Sequence, residues 1–274
     1  MKWYKLVFKQ NQPIHIGLLN WGVIKQTLIF IPGWTMWGAL TKAYNISKGQ
    51  SLSENQNLFE VITCFYPSFD KNGNNPLFPE YKGGVFHFGE YSESKFRYEF
   101  TDTFVSTSIL PESRGAKEES LHETEILLPG SKIENKKLYW VGILGINDSY
   151  QSNLNNFIKE GLKIYVGGDV RYGLGELELV KKDCITNDNC ELKKWQVKKN
   201  GMFDNSLLNK RLKNFLEFSS NLEFNGELIL YAEFNFLQNR PTVKEEAKYY
   251  ITPGSKILNK LTCDYKLKKG KFIK

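Results

Sequence analysis

The sequence predicts an α+β fold, with a ferredoxin-like (RRM-like) β-α-β-β-α-β domain at residues 1–182 and a reduced, β-rich half at residues 183–274. Three observations support this prediction. The N-terminal segment KWYKLVFKQ alternates in polarity like a strand, and WTMWGALTKAYNI repeats its apolar residues at helical spacing. Further along, strand-like and helix-like segments alternate again and end in ELELVKK, after a glycine-rich turn. This order of elements is that of the ferredoxin-like motif.

The first strand and the first helix carry the clearest local signals. Between them, LNWGVIKQTLIFIPG reads as an irregular hairpin or loop that returns to the core and ends in the turn signal Pro32-Gly33. The helix that follows is short, since Ser47 and Gly49 end it. Its apolar stripe, which favours the core over a base-stacking surface, consists of Trp34, Trp37, Leu40 and Tyr44.

The middle of the first domain is predicted to contain a loop, several strands and a second helix. Residues 66–83 are rich in Pro, Gly and Asn and predict a loop, whereas GVFHFGEY alternates like a strand. Residues 101–113 are predicted to be extended, and residues 125–146 to form a hairpin of two strands. The second helix is predicted from an apolar stripe that consists of Leu154, Phe157, Ile158, Leu162 and Ile164.

The second half is predicted to begin with a basic helix at residues 204–220. Strands follow in FNGELILYAEFNF, around ITPGSKIL and in CDYKLKKGKFIK. LPGSKIENKKL (128–138) and TPGSKILNKL (252–261) share the run PGSKI. If this similarity reflects two related halves, the second is shortened, and residues 183–274 are then a degenerate second domain.

Composition and charge restrict the classes of function. The formal net charge is +7 and the pI about 9.0, with 14% aromatic residues. Cations interleaved with aromatics, as in residues 192–214, suit a nucleic-acid partner, although solvated lysines would also explain them. The longest apolar runs are too short for a membrane span, and no secretory signal is recognised, so a cytoplasmic protein is expected. Four cysteines without a CxxC pair argue against a zinc site.

The stretch GGDVRYGLGELELV carries four glycines in nine residues, at positions 167, 168, 173 and 175. Glycine is unfavourable inside regular structure, so such a cluster indicates tight turns or a close approach by another group. Backbone N–H groups in successive turns form a nest that binds phosphate oxygen. Arg171 offers a bidentate phosphate contact and Tyr172 a stacking face. The alternative is a loop that only packs between helix and strand.

Three stretches together resemble the RAMP superfamily of RNA-binding subunits in CRISPR effector complexes. These are PIHIG (13–17), IPGWTMWGALTKAY (31–44) and GGDVRYGLGELEL (167–179), in the order and spacing that the superfamily shows. The resemblance covers residues 1–180 well and residues 181–274 weakly. Trp34 and Trp37 depart from it, because smaller or polar residues are commoner there.

The resemblance implies a structural subunit of a type III-like complex in antiviral defence, with guide RNA and the backbone and large subunits as partners and no cofactor or metal. The segment KYYITPGSKI is similar to a strand of the subunits that cap the 5′ end of the guide RNA. Asp70 lies where target-cutting subunits carry an aspartate, but its context DKNGNN favours a turn. The predicted RNA-binding residues are Gly167, Gly168, Arg171, Tyr172, Gly173, Gly175, Lys42, Lys198 and Lys199.

Two alternatives stay open. A metal-independent, guide-processing endoribonuclease would use a general base and cations in one pocket, for which His15, Lys42 and Tyr44 are weak candidates. His15 and His87 alternate with apolar residues, which favours half-buried structural histidines, and His122 with its neighbouring glutamates does not form a convincing metal site. An assembly protein without RNA contact would use Trp34 and Trp37 as interface anchors.

Overall fold

The computed structural model describes residues 1–186, 189–205, 210–235, 240, 242–243, 246–261 and 263–274 of the chain. The α-helices in these residues are α1 (Gly33–Lys48), α2 (Glu93–Phe100), α3 (Gln151–Asn155) and α4 (Asn189–Lys194). The strands before residue 187 are β1 (Lys2–Gln10), β2 (Gly17–Trp21), β3 (Ile24–Thr27), β4 (Tyr66–Ser68), β5 (Pro79–Lys82), β6 (Val85–Phe88), β7 (Tyr91–Ser92), β8 (Thr101–Ser106), β9 (His122–Leu127), β10 (Tyr139–Ile146), β11 (Lys163–Tyr165) and β12 (Glu176–Ile185). The strands after residue 188 are β13 (Phe215–Glu217), β14 (Phe224–Asn225), β15 (Leu228–Tyr231), β16 (Phe234–Asn235), β17 (Thr242–Val243), β18 (Lys248–Ile251), β19 (Lys256–Ile257), β20 (Lys266–Lys268) and β21 (Lys271–Ile273).

The predicted ferredoxin-like arrangement is present in the central sheet, whose strand order is β11-β12-β1-β10-β4. β1 pairs antiparallel with both β10 and β12, and β4 pairs antiparallel with β10. α1 lies in the connection from β1 to β4, and the short α3 in the connection from β10 to β12. The short strand β11 extends the sheet at one edge. This confirms the predicted α+β class.

The elements at the centre follow from their apolar patterns. Leu6, Val7 and Phe8 are consecutive in β1 and completely buried, so both faces of this strand are covered. α1 begins directly after Pro32, whose carbonyl accepts the N–H groups of Thr35 and Met36, and ends at Gly49 in the left-handed region (φ 63°), whose N–H caps the last carbonyls. α1 has 16 residues and is longer than the short helix that the sequence predicts.

A second, four-stranded sheet has the order β2-β3-β9-β8. We call residues 17–27 and 101–127, which form it, the arm. β2 and β3 form the predicted hairpin, with the turn at Gly22. The arm joins the central sheet where Ile14 and Leu127 exchange two backbone hydrogen bonds of 2.9 and 2.7 Å.

The C-terminal strands form a further sheet of order β15-β18-β13-β21-β20, which packs against the start of α1. A Cβ placed on Gly33 would lie 2.4 Å from the Cα of Gly270, so the two backbones touch at glycines. The ring of Trp34 lies 4.8 Å from that of Phe215 and 4.7 Å from that of Tyr231. One apolar core therefore runs through both parts of the chain.

Several sequence predictions of local structure were wrong. Within the helix predicted for 204–220, residues 206–209 lie outside the described residues, and Phe215–Glu217 is a strand flanked by β18 and β21. Leu212, Phe215 and Leu216 are all buried. Their spacing fits a helix, but a short apolar run covered on both sides fits a strand equally well, and here the neighbouring strands decide.

Two other segments differ from prediction because their strands pair elsewhere. The strands expected to form a hairpin at 125–146 are β9 and β10, but β9 pairs with β8 and β3 while β10 pairs with β1 and β4. The predicted loop at 66–83 contains β4 and β5 at its two ends. Sequence neighbours that alternate in polarity do not identify their partners, because pairing is a long-range choice.

The predicted second helix is mostly absent, and one helix was not foreseen. The apolar stripe from Leu154 to Ile164 folds as only one helical turn, α3, followed by a turn region and β11. α2 (Glu93–Phe100) was not predicted, although Ser92 caps it by accepting a hydrogen bond of 3.3 Å from the N–H of Lys95. Phe96 and Phe100, one helical turn apart, are its buried anchors. None of the helices in the described part of the chain is long and apolar enough to cross a membrane.

Candidate functional site

The glycine-rich loop lies on the backbone of the PIHIG segment. The N–H of Gly168 donates to the carbonyl oxygen of His15 at 2.9 Å, and the N–H of Gly175 donates to that of Pro13 at 2.8 Å. A Cβ on Gly167 (φ 78°) would lie 2.0 Å from the His15 oxygen, and one on Gly175 (φ 95°) 2.4 Å from the Val166 oxygen. These two glycines are therefore required by contacts within the chain.

The tip of the loop has the opposite character. Asp169 (φ 54°) begins it, a single 3-10 turn follows at Val170–Tyr172, and Gly173 (φ 83°) ends it at a position where an added Cβ would meet no atom within 4 Å. Arg171 is exposed, and the side chain of Tyr172 is 76% exposed. Among the described residues, the N–H groups at positions 169–171 have no hydrogen-bond partner. The tip thus offers a guanidinium, an aromatic face and free amides to solvent.

One charge at the tip opposes anion binding. The Asp169 carboxylate is exposed at the start of the turn that carries Arg171. A carboxylate close to a bound phosphate repels it, so the tip is not a purely cationic surface. Its net affinity for phosphate depends on the balance of Arg171 and the amides against Asp169.

The base of the loop is held by a polar network that the sequence analysis missed. Glu176 accepts hydrogen bonds from Lys163 (3.0 Å), Asn11 (3.1 Å) and the hydroxyl of Tyr165 (3.1 Å). The Lys163 ammonium, followed by the Asn11 amide, lowers the pKa of Glu176. The bond to Glu176 in turn raises the pKa of Tyr165. A carboxylate that stays ionised here ties β11, β12 and the end of β1 together beneath the tip.

The three candidate catalytic residues have different surroundings. His15 is 7% exposed, and its Nδ1 lies 2.8 Å from the Glu125 carbonyl oxygen, which can only accept, so Nδ1 carries the proton. Tyr44 is buried on α1, with its ring edge-on to those of Phe59 and Phe157. Lys42 is exposed on the same helix. His15 thus packs under the glycine loop while Tyr44 packs in the core, and a shared reaction pocket stays a prediction.

Lys198 and Lys199 lie far from the glycine loop. Both are exposed, and the Lys199 carbonyl accepts a hydrogen bond of 3.0 Å from the indole of Trp3, at the start of β1. The glycine loop contacts Pro13, beyond the end of the same strand. Nine residues of extended chain span about 30 Å. One RNA strand would have to follow the length of β1 to touch both groups.

Part of the basic C-terminal tail is buried against aromatic rings. Lys269 is 3% exposed, with its Nζ 3.7 Å from the ring centroid of Trp37 and 2.9 Å from Glu233. Lys271 is also buried, 4.2 Å from the ring of Tyr231. Trp37 itself donates to the carbonyl of Gln56 at 2.7 Å. Trp34 and Trp37 therefore pack against residues of their own chain.

A third cation near an aromatic ring, the partly buried Lys213, lies just before β13, the central strand of the C-terminal sheet. The Nζ of Lys213 is 4.2 Å from the ring centroid of Phe78. Burial lowers the pKa of Lys213 to about 8, partly offset by the nearby Glu80. Its charged form is therefore less favourable in the folded chain than in water.

Asp70 has the turn role that its sequence context favours. Its carboxylate accepts the N–H groups of Asn72 at 2.9 Å and Asn74 at 3.1 Å, and these bonds lower the pKa of Asp70. Across the described ranges, no group of three or more His, Cys, Asp or Glu side chains is arranged to hold a metal ion.

The two PGSKI runs adopt different local structures. In the first, Ser131 Oγ accepts the N–H groups of Ile133 and Glu134 and donates to Glu99 at 2.7 Å. In the second, Ser255 Oγ accepts a hydrogen bond of 3.2 Å from the N–H of Glu227, the residue just before β15. The two identical PGSKI sequences therefore do not form the same hydrogen-bond pattern.

The fold is similar to chains in solved structures at low sequence identity. One is a chain of the cryo-EM structure of the Type III-B Cmr-beta bound to cognate target RNA, at 15% identity and a TM-score of 0.58, covering 92% of this chain and 86% of that chain. Another is a chain of the same complex with target RNA and AMPPnP, at 14% identity and a TM-score of 0.55, covering 92% and 85%. No protein-family model and no curated protein matches the sequence. The comparison therefore establishes a shared fold.

Proposed function

We propose that the protein is an RNA-binding structural subunit of a type III-like CRISPR effector complex and holds guide RNA by phosphate contacts. The observation that carries the proposal is the glycine-rich loop, whose base is fixed by backbone contacts while Arg171 and Tyr172 project from its tip. Two further findings support it: the resemblance of three motifs to the RAMP superfamily, and a fold like that of Type III-B Cmr-beta chains.

The tip suits the backbone of RNA better than its bases. A guanidinium donates to two phosphate oxygens at once, and the free backbone N–H groups donate to further phosphate oxygens. Tyr172 offers a stacking face that any base can use. Contacts of this kind position the RNA without reading its sequence, so sequence recognition is left to base pairing. Affinity therefore falls with salt, because each phosphate contact releases a counterion.

Within such a complex, we assign this protein to the position of the subunit that caps the 5′ end of the guide RNA. It rests on the similarity of KYYITPGSKI to a strand of that subunit type; here KYYI is β18, between β13 and β15. In this position the partners are guide RNA, the backbone subunits and the large subunit, and the site of action is the cytoplasm.

A salt series with labelled guide-repeat RNA tests the proposal. We expect Arg171→Ala to weaken binding about tenfold and to reduce the slope of log K against log salt by about 0.7, the contribution of one single-strand phosphate contact. Asp169→Asn should strengthen binding by a few fold, because it removes the opposing charge and asparagine tolerates the left-handed backbone. Arg114→Ala, an exposed arginine of the arm, is the matched control and should leave affinity unchanged.

The same experiment separates the alternatives. Absence of binding at low salt would contradict the RNA-binding role and leave the assembly protein as the better explanation. Cleavage of the repeat RNA in the presence of EDTA, abolished by His15→Asn, would favour the processing endoribonuclease. Equal effects of Arg171→Ala and Arg114→Ala would show that the loop tip is not the contact.

A further inference from the structure

Exposed apolar side chains are concentrated in the arm. Of the 25 large apolar side chains that are exposed among the described residues, ten lie in residues 17–27 and 101–127, which are 38 of the 274 residues. Single exposed apolar residues are ordinary, but a concentration of this kind marks an interaction surface.

Strand register places four of these side chains on one face of the arm. Trp21 pairs with Ile24, Ile24 with Glu123, and Glu123 with Val105, which forms a row across all four strands. Leu19 lies behind Trp21 on the same face, because side chains alternate along a strand. Trp21 is 70% exposed and Val105 57% exposed. The row is thus a solvent-facing apolar strip with one carboxylate in it.

The arm also has an open edge. β2 is the outer strand of its sheet and pairs only with β3, and each of its five residues is exposed. Edge strands that stay unpaired are commonly protected by lysine or proline. β2 has the sequence GLLNW and contains neither. Its outer backbone groups are available to an extended segment of another chain.

The charge of the arm indicates which class of molecule binds to it. Apart from Glu125, which pairs with Arg97 at 2.9 Å, the arm carries five carboxylates against three basic side chains, whereas the whole chain has a net charge of +7. An acidic surface repels phosphate, which argues against RNA on this face. Two copies of the arm placed face to face would bring like-charged carboxylates together, and their repulsion argues against a symmetric dimer through the arm. A protein surface with an apolar floor and a lysine- and arginine-rich rim complements both features.

We propose that the arm is a protein-docking surface, on which the strip Leu19, Trp21, Ile24 and Val105 and the open edge of β2 receive a different protein with a basic, apolar surface. Trp21 is its central anchor, since large aromatic side chains dominate binding at such surfaces. The docking role is independent of RNA binding at the glycine loop, because the two surfaces share no residues.

Site-specific photo-crosslinking in cells that contain the native assembly tests this proposal. The full chain carries Trp21→p-benzoylphenylalanine, with Tyr98→p-benzoylphenylalanine as the matched control at an equally exposed aromatic outside the arm. We expect a ribonuclease-resistant adduct from position 21, at least fivefold more abundant than from position 98. Its contact peptide, identified by mass spectrometry, should contain lysine or arginine. The double change Glu112→Lys and Glu118→Lys should lower the yield at least threefold.

Other outcomes overturn the docking role. These are an adduct that ribonuclease removes, an adduct with a second copy of this chain, a contact peptide without basic residues, or a yield no higher than that of the control. RNA affinity distinguishes this result from the test of the glycine loop. Trp21→Ser with Ile24→Ser should leave guide-RNA affinity within twofold of wild type, and a larger loss in a variant with unchanged melting temperature would also overturn the docking role.

Discussion

Two regions of the molecule combine cations with aromatic rings, and they differ in burial. At the tip of the glycine-rich loop, Arg171 and Tyr172 both project into solvent. Where α1 meets the C-terminal strands, Lys269 lies on the ring of Trp37 and Lys271 on that of Tyr231, and both lysines are buried. The residue types are alike, but only the first pair is free to meet a ligand.

The difference shows how far composition overstates a binding surface. A lysine that is buried against a ring has exchanged water for protein contacts, and phosphate cannot reach it without unfolding. The tail KLKKGKFIK contains five lysines, and the structure uses two of them to fasten the C-terminal strands to α1. The exposed pair at the loop tip contributes little to packing. The two regions should therefore respond to mutation in opposite ways.

The largest expected effect is on stability, at the buried region. Trp34→Ala removes a ring that lies between those of Phe215 and Tyr231, so we expect the free energy of unfolding to fall by roughly 3–4 kcal/mol. Urea unfolding measures this, with Trp21→Ala as the exposed-tryptophan control at under about 0.5 kcal/mol. Guide-RNA affinity of the folded fraction should not change. Equal destabilisation by both variants would remove the distinction between the regions.

The next effect separates the fixed base of the loop from its free tip. Gly167 and Gly173 both have positive φ, but only a Cβ on Gly167 would meet a backbone oxygen. We expect Gly167→Ala to cost about 2–3 kcal/mol, against about 1 kcal/mol of backbone strain for Gly173→Ala. Thermal unfolding of the two variants checks this prediction. Equal losses of stability in the two variants would contradict the close contact between Gly167 and the His15 carbonyl oxygen.

A smaller effect depends on pH and concerns Lys213 on Phe78. Burial lowers its folded-state pKa to about 8, below the value of an exposed lysine, so its charged form destabilises the fold fully below pH 8. As the pH rises from 8 towards 10.5, the folded chain is already neutral here while the unfolded chain still binds a proton, and this cost disappears. Lys213→Met should therefore stabilise the protein by roughly 1–2 kcal/mol at pH 7 and by much less at pH 10.5.

Urea unfolding at several pH values measures that difference. Lys132→Met, at an exposed lysine beside the ring of Tyr98, is the matched control and should show no pH-dependent gain. A loss of stability in Lys213→Met at pH 7 would mean that the cation on Phe78 stabilises the fold more than its burial destabilises it.

The fold could be predicted wherever a segment carries its own signal. The strand Lys2–Gln10 is rich in apolar residues, the helix Gly33–Lys48 has a helical period bounded by Pro32 and Gly49, and both are present. The segment 204–220 has a helical period but contains a strand, and β9 and β10 were assigned to each other although they pair with different strands. Such choices depend on partners distant in sequence, which a local pattern does not contain.

The candidate site was also predicted only where the sequence carries a local signal. Glycine clustering and the neighbouring arginine and tyrosine indicated the loop, whereas its contact with the backbone of PIHIG was not predicted. The network of Glu176 with Lys163 and Asn11 was missed, because these residues are polar, ordinary and 165 positions apart at the widest. The only local signal was the polar run QNQ at the end of β1, which has no pattern of its own.

The sequence by itself determined the elements whose conformation is a local property: the amphipathic period of α1, the apolar strand β1 and the positive-φ turns that glycine favours. The tertiary structure decided which side chains meet solvent. Lys271 and Arg171 are both cations near aromatic residues in the sequence. Lys271 is nevertheless buried beside the ring of Tyr231, whereas Arg171 is exposed at the tip of a loop. Burial depends on what packs against a residue from elsewhere in the chain, so it is fixed only when the whole chain has folded.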